Sequence, residues 1–496
     1  MRSETRSQSA GLSGPKLALT AILLALAFCV LLGMWSRAPF QYDEAVYAIK
    51  ARQWIDATPA TQWRIFRPPG MSILGYVVLS IQNSDFALRL LGLAGALGAA
   101  GALYALAQRV VGGWPALIAT ASFAAAPTVQ LRGGQFMNDL PATALLLLMC
   151  ICIQDTFERR GRGSRLVLAA FFAAGAFYLR YASVFPIFAV AGTSAALWRA
   201  HLKSHLRLLV TPAITMTVLL VPHFVYSTSQ TGTPWGITQL ASEVPLQWRQ
   251  SIGEGLWQYM RWFPSRLAGH VAGILMLAAT VALLKSLRRA AGSGGALNPE
   301  RRAVLFLAIP AFLQILYLGL THHAEERFLF FPVALLVIAG AGFLAGTFQR
   351  MRLAQTRGRR LLVTGSCVLA IAAGGVPTLR NSQNLAESRM PLATAAKEIR
   401  KHADRPCSAV SVDGPVVAWY SGCATYRYDQ RPPKSRSRFL IVLPGHRFQP
   451  TGATLERHLA EASPEPIFHL RRRDSDDSSV LVYLLPSDSP SSPERI

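Results

Sequence analysis

Apolar residues gather into long runs separated by short polar stretches. The first is Leu17 to Trp35, after a polar, basic Met1 to Lys16. Others follow at 86–108, 114–131, 140–157, 166–180, 183–198, 207–227, 267–285, 303–320, 327–348 and 361–377. Most approach the length a bilayer-crossing helix needs, which predicts about eleven spans. The two runs flanking Arg180 and Tyr181 are short, and one broken helix plus a re-entrant piece is an alternative there.

The first run is long for a cleaved secretory signal and lacks a convincing small-x-small cleavage site, so it reads as a signal-anchor with a cytoplasmic N-terminus. The loop 36–85 is then exoplasmic, with room for short interfacial helices. Alternate assignment places four cationic clusters in cytoplasmic loops: Arg159, Arg160, Arg162 and Arg165; Arg199, Lys203 and Arg207; Lys285, Arg288, Arg289, Arg301 and Arg302; and Arg350, Arg352, Arg357, Arg359 and Arg360. Exoplasmic loops hold few cations, such as Arg132, Arg180 and Arg327. This bias orients polytopic proteins and predicts an exoplasmic tail.

From about residue 380 the pattern changes. Leu392, Ala395, Ala396 and Ile399 have helical spacing, and Pro415 to Ser421 and Leu455 to Ala462 are further helix candidates. Cys407 to Val412, Phe439 to Leu443 and Val480 to Leu485 read as strands. The expected organisation is a membrane domain over 1–379 with the long loop 36–85, a small exoplasmic α/β domain over 380–486, and a disordered Ser/Pro-rich tail over 487–496.

Composition agrees with the membrane reading. Of 496 residues, 51% are hydrophobic and only 15% charged, where a soluble protein carries about 25% charged residues; mean hydropathy is +0.30. The net charge of +24 lies in the short loop clusters, and with no basic-aromatic RNA motif it does not point to nucleic acid. Membrane lipids are the surrounding partner. Cys29, Cys150, Cys152 and Cys367 lie in apolar runs, whereas Cys407 and Cys423 lie in the tail and can pair if that tail faces an oxidising compartment.

Four polar clusters fall on the predicted exoplasmic side. The first pairs Gln41-Tyr42-Asp43-Glu44 with Arg67-Pro68-Pro69-Gly70, among Tyr47, Trp54, Trp63 and Phe66. Two adjacent carboxylates at a membrane helix end face water, a cation or a substrate, so a solvated loop start is the alternative. The second runs from Arg132 through Gln135 and Asn138 to Asp139, where helix capping is the alternative. The third, Arg180-Tyr181, reads equally as an interfacial anchor. The fourth, Thr321-His322-His323-Ala324-Glu325-Glu326-Arg327, enters a membrane helix with five titratable groups. Its His and Glu spacing leaves a divalent metal open, but a pocket for an anionic head group, with Arg327 as a fixed fork, fits its chemistry better.

At these motifs the chain resembles the GT-C glycosyltransferases, polytopic enzymes that take sugars from polyprenyl-phosphate carriers. Tyr42-Asp43-Glu44-Ala45 with Arg67-Pro68-Pro69, and Asn138-Asp139-Leu140-Pro141, resemble the protein O-mannosyltransferase and aminoarabinose transferase branch. His323-Ala324-Glu325-Glu326-Arg327-Phe328-Leu329 is similar to a His-Lys-Glu-Glu-Arg-Phe-Leu motif of dolichol-phosphate-mannose-dependent mannosyltransferases. The resemblance covers about residues 17–377 and implies transfer of a mannose-like hexose or a pentose from a polyprenyl-phosphate donor to a lipid, glycan or protein hydroxyl. It implies Asp43 as base, with Glu44 and Asp139 orienting the acceptor or tuning Asp43. Arg327 with one of His322 or His323 would stabilise the departing phosphate, Arg67 is a second candidate for that role, and Glu325 and Glu326 complete the substrate-binding set. A multi-pass protein of this kind, without a eukaryotic sorting signal, suits a bacterial inner membrane. The rival readings are a transporter or flippase, which the broken 166–198 region would suit, and a scaffold for the tail. Against transport stand the long first loop, the lack of a repeated half and charges gathered on one face.

Overall fold

The computed structural model describes residues 14–486 except 62, 159–162, 200–206, 248–250, 267, 293–297, 323, 351–356, 431–436, 447 and 471–478. Among these, eight helices are long and apolar enough to cross a bilayer, from Gly14–Trp35 to Leu361–His402, and Gly70–Ile81, Ser164–Leu179 and Tyr181–Leu197 are shorter apolar helices. The chain is a multi-pass helical membrane protein. Its outer helices turn apolar side chains outward, as Leu24 (65% exposed) and Phe28 (63%) do, the arrangement a lipid surround favours.

Two spans are enclosed far more than the others. Asp139–Glu158 is 78% buried over its apolar window and Glu326–Thr347 is 72% buried, against 11% for Leu209–Thr231. These central helices begin with Asp139 and with Glu326-Arg327, so the best-packed part of the bundle carries two polar clusters at its heads.

The run 114–131 is not one span. Gly113–Ala124 ends, and Pro127 opens a separate short helix, Pro127–Gly133, because proline suits a first helical turn and blocks a helix interior. Arg180 is extended and breaks 166–198 into Ser164–Leu179, a 3₁₀ turn over Tyr181–Ser183, and Val184–Leu197. The loop 36–85 folds into Tyr42–Asp56 and Gly70–Ile81.

The last helix, Arg357–His402, continues 46 residues from the bundle into the small α/β region. There β1 (Cys407–Val410), β2 (Ala424–Tyr426), β3 (Ser437–Val442), β4 (Phe468–Leu470) and β5 (Val480–Leu485) form one sheet in the order β2-β1-β3-β5-β4. β1 is parallel to β2 and β3, and β5 is antiparallel to β3 and β4. Helices Gly414–Ser421 and Ala453–Ala460 complete it, and Cys407 and Cys423 form a disulfide. The expected disordered tail 487–496 lies outside the described residues.

This region is seated on the first loop. Trp419 Nε1 and the Tyr420 hydroxyl donate to Asp85 (2.7 and 2.5 Å), and Arg52 donates to the Trp419 carbonyl (2.7 Å) while stacking on its ring (3.4 Å to the centroid). Apolar residues of Tyr42–Asp56, of the last helix and of the sheet share one buried cluster.

Candidate active site

Asp43 lies in the first turn of Tyr42–Asp56, where a carboxylate suits the helix dipole. A capping box fixes that turn: the Gln41 side chain accepts from the Glu44 backbone N–H, and Glu44 accepts from the Gln41 N–H (2.9 Å). Consecutive helical residues point about 100° apart. Asp43 and Glu44 therefore face different neighbours.

Asp43 faces two arginines. Its Oδ1 pairs with Arg67 Nη1 and its Oδ2 with Arg327 Nη1, each at 2.9 Å. Burial pushes its carboxyl up, but the guanidiniums of Arg67 and Arg327 outweigh this and hold it well below the usual carboxylate range. Arg67 is placed by Pro68-Pro69-Gly70, and a Cβ on Gly70 would sit 2.6 Å from the Tyr178 carbonyl oxygen. Only glycine allows that approach. Arg327 also binds Glu325 through Nε, while Glu326 pairs with Arg266 (2.5 Å).

Glu44 faces inward and is fully buried. It accepts from Arg89 Nε (3.2 Å), from the Phe136 N–H (2.9 Å) and from Gln41. Asp139 heads its span with Oδ1 on Arg180 (2.7 Å), whose guanidinium lies 4.6 Å from the Phe328 ring centroid. Asn138 donates to the Tyr47 hydroxyl (3.1 Å) and the Leu179 carbonyl (2.6 Å), tying the second and third clusters to the first loop.

His322 is buried, 2.6 Å from the Thr321 hydroxyl oxygen and beside the Tyr317 and Phe328 rings. His323 lies outside the described residues. Among the described residues no three His, Cys, Asp or Glu side chains converge as metal ligands, and Asp43, Glu44 and Asp139 are each bound by arginine.

The structure thus brings Asp43, Arg67, Glu325 and Arg327 into direct contact and sets Asp139 with Arg180 nearby, while Glu44 turns away and His322 sits among aromatics. It also adds a residue that sequence reading missed. Asp413, at the N-cap of Gly414–Ser421, comes from the α/β region, and its Oδ1 is buried with no hydrogen-bond partner among the described residues. Burial pushes its carboxyl up to about 6, against Arg389, which lowers it, and with Asp43, which raises it further. The folded state thus holds this proton more tightly than the unfolded chain. The group stabilises the protein below its ordinary value of 3.8, and that contribution is lost as pH rises through about 6. At about 1.4 kcal/mol per unit, the loss is at most about 3 kcal/mol. Asp413→Asn should therefore flatten the fall in thermal stability across this window; identical pH profiles for variant and wild type would show that Asp413 titrates as an ordinary carboxylate.

Residues 67–226 match the family model described as dolichyl-phosphate-mannose-protein mannosyltransferase. No curated protein sequence matches the chain. Among solved structures, ArnT from Cupriavidus metallidurans is similar in the apo state (TM-score 0.65, 12% identity, covering 94% of this chain and 98% of that one). ArnT bound to undecaprenyl phosphate is similar to the same degree (TM-score 0.65, 13% identity, 96% and 99%). The apo oligosaccharyltransferase of Archaeoglobus fulgidus has a TM-score of 0.56 at 13% identity, over 82% of this chain and 64% of that one. The chain has the fold of these proteins, and the family-model match contains Arg67-Pro68-Pro69 and Asn138-Asp139-Leu140-Pro141 but neither Asp43-Glu44 nor residues 323–329.

Proposed function

We propose that the protein is an integral membrane glycosyltransferase that moves a sugar, a mannose-like hexose or a pentose, from a polyprenyl-phosphate carrier to an acceptor hydroxyl. The observation that carries this reading is Asp43 held between Arg67 and Arg327, which joins the first-loop motif to the late motif. One of the two ArnT structures is bound to undecaprenyl phosphate, a carrier of the kind this site would meet at the bilayer surface.

The geometry suggests how the base is armed. In the free protein Asp43 is a weak base, because two guanidiniums stabilise its anion. A donor phosphate would compete for the same two forks, which suit phosphate oxygens. As Arg67 and Arg327 turn to the phosphate, Asp43 loses its partners and gains basicity while the donor is in place. The acceptor oxygen then attacks the anomeric carbon and its proton passes to Asp43. The new glycosidic C–O bond forms as the C–O bond to phosphate breaks, with inversion. The electron pair leaves on the phosphate, whose charge the arginines stabilise in a water-poor site. Arg180 would hold Asp139 toward the sugar side.

The chemistry is assigned to the exoplasmic face of a cell membrane, with a bacterial inner membrane the expected setting and the N-terminus cytoplasmic. The cationic loop clusters support that orientation, as does the Cys407–Cys423 disulfide, since such bonds persist in oxidising compartments.

The test is full-length protein in membranes of its own cells, which carry the acceptor, supplied with undecaprenyl-phosphate mannose and undecaprenyl-phosphate pentoses, with discharged undecaprenyl phosphate measured by mass spectrometry against membranes lacking the protein. Wild type should discharge at least one donor. Arg327→Lys should bind the donor about tenfold more weakly or worse, because one point charge replaces a two-pronged fork. Donors left intact by wild type would defeat the proposal, and unchanged affinity in Arg327→Lys would remove that residue from the phosphate site.

A further inference from the structure

A cavity lined by Arg327, the partner of Asp43, lies between the head of Asp139–Glu158, the break at Arg180, and the helix Pro299–Thr321. It has about 420 Å³ of empty space, part of it open, and its lining includes Asp139, Thr143, Arg180, Gln314, Tyr317 and Arg327. Phe185 and Tyr317 stack along one wall with ring centroids 4.2 Å apart.

Two acceptor atoms in this lining are unmet. Gln314 is 8% exposed; its Nε2 donates to the Phe328 carbonyl (3.3 Å), which turns Oε1 away, and that oxygen is buried with no partner among the described residues. Asp139 is 3% exposed; Oδ1 is taken by Arg180, and Oδ2 is likewise buried without a partner. A glutamine carbonyl and an ionised carboxylate can only accept hydrogen bonds. Buried polar atoms of native proteins are rarely left unsatisfied, so each of these oxygens calls for a partner such as a ligand hydroxyl, an ion or a water.

We propose that Asp139 and Gln314 form the subsite that recognises the donor's sugar ring through its hydroxyl groups. The occupant must bring O–H or N–H donors to the two oxygens and an anionic group to Arg327, which lines the same cavity. A sugar phosphate has that distribution. The aromatic wall gives the ring's C–H face an apolar surface, as small-molecule pockets commonly do. Because Arg180 already neutralises Asp139, neutral hydroxyls suffice. This subsite rests on the reading of the donor as a polyprenyl-phosphate sugar and extends it by naming what reads the sugar.

The experiment compares undecaprenyl phosphate with undecaprenyl-phosphate mannose as ligands of the purified full-length protein. Wild type should prefer the sugar-bearing carrier by about tenfold or more. Gln314→Leu should lose about that factor for the sugar-bearing carrier alone, leaving affinity for undecaprenyl phosphate unchanged. Its melting temperature without ligand should fall only slightly, since the replacement removes the unmet Oε1 and gives up one long hydrogen bond to the Phe328 carbonyl. If Gln314→Leu does not fold, Gln314→Met carries the test: it nearly keeps the shape of the side chain, offers no oxygen to a hydroxyl, and the same selective loss is expected. A variant that keeps the wild-type preference, or loses affinity for both carriers in parallel, overturns the subsite. Wild type that binds undecaprenyl phosphate without preferring the sugar also overturns it while leaving the carrier reading intact. Wild type that binds neither carrier defeats both.

Discussion

Asp43→Asn should lower glycosyl transfer by about 10²–10⁴-fold, the usual worth of a general base, while donor binding stays equal or tightens. The substitution keeps size and polarity but cannot take the acceptor's proton. It also removes the anion shared by Arg67 and Arg327 in the free protein, so a donor phosphate loses one competitor and meets only Glu325 on Arg327. Loss of rate without loss of donor affinity separates a base from a residue that merely holds two arginines in place. If Asp43 only organised the arginines, its removal would weaken donor binding and slow transfer together.

The same geometry predicts a split pH response. The profile of kcat/KM reports the free protein, where the arginines keep Asp43 ionised far into the acid range. The profile of kcat reports the donor complex, where the phosphate has drawn the arginines away. Its acid limb should therefore lie at higher pH than that of kcat/KM. Coincident limbs, or full-rate transfer by Asp43→Asn, would refute this account of the base.

Much of the membrane architecture was legible because a bilayer demands long apolar runs, and eight of the eleven runs survive as helices long enough to cross. Strands β3 and β5 were legible because each contains six residues rich in Val, Ile and Leu, and β1 falls at the start of the expected strand Cys407 to Val412. β2 and β4 have three residues each, too few to display a period. Pro127 was the missed signal for the break in 114–131. The site was legible as motifs but not as partnerships. Nothing in Asp43-Glu44 says which carboxylate faces the arginines, since that depends on the helix phase set by the Gln41 cap. Arg89 and Gln314 lay inside runs read as spans; a lone polar residue in such a run is itself a signal, and both proved to face the polar end of the bundle. Asp413 had no sequence signal, because its meaning comes only from the docking of Trp419 and Tyr420 on the first loop.

Glu44 provides the other large effect, and it falls on stability. Its carboxylate is fully buried and meets Arg89, whose side chain is only 8% exposed, together with the N–H groups of Gln41 and Phe136. Arg89 in turn donates to the Ala38 carbonyl (2.6 Å), so the pair ties the end of the first span, the start of Tyr42–Asp56 and the loop at Phe136 into one knot. Glu44→Gln leaves a buried guanidinium without its counter-charge and turns an amide N–H₂ toward groups that can only donate. Breaking a buried pair from one side costs about 3–5 kcal/mol, enough to lower expression and the melting temperature sharply. Replacing both partners by apolar residues, Glu44→Leu with Arg89→Met, should recover most of that loss, because neither charge is then stranded. The double variant also separates scaffold from chemistry. If Glu44 only fixes the phase of the helix that presents Asp43, transfer per folded molecule should return with stability. Stability that returns without transfer would place Glu44 in contact with substrate, and a Glu44→Gln protein as stable as wild type would mean that the pair with Arg89 does not hold the loop.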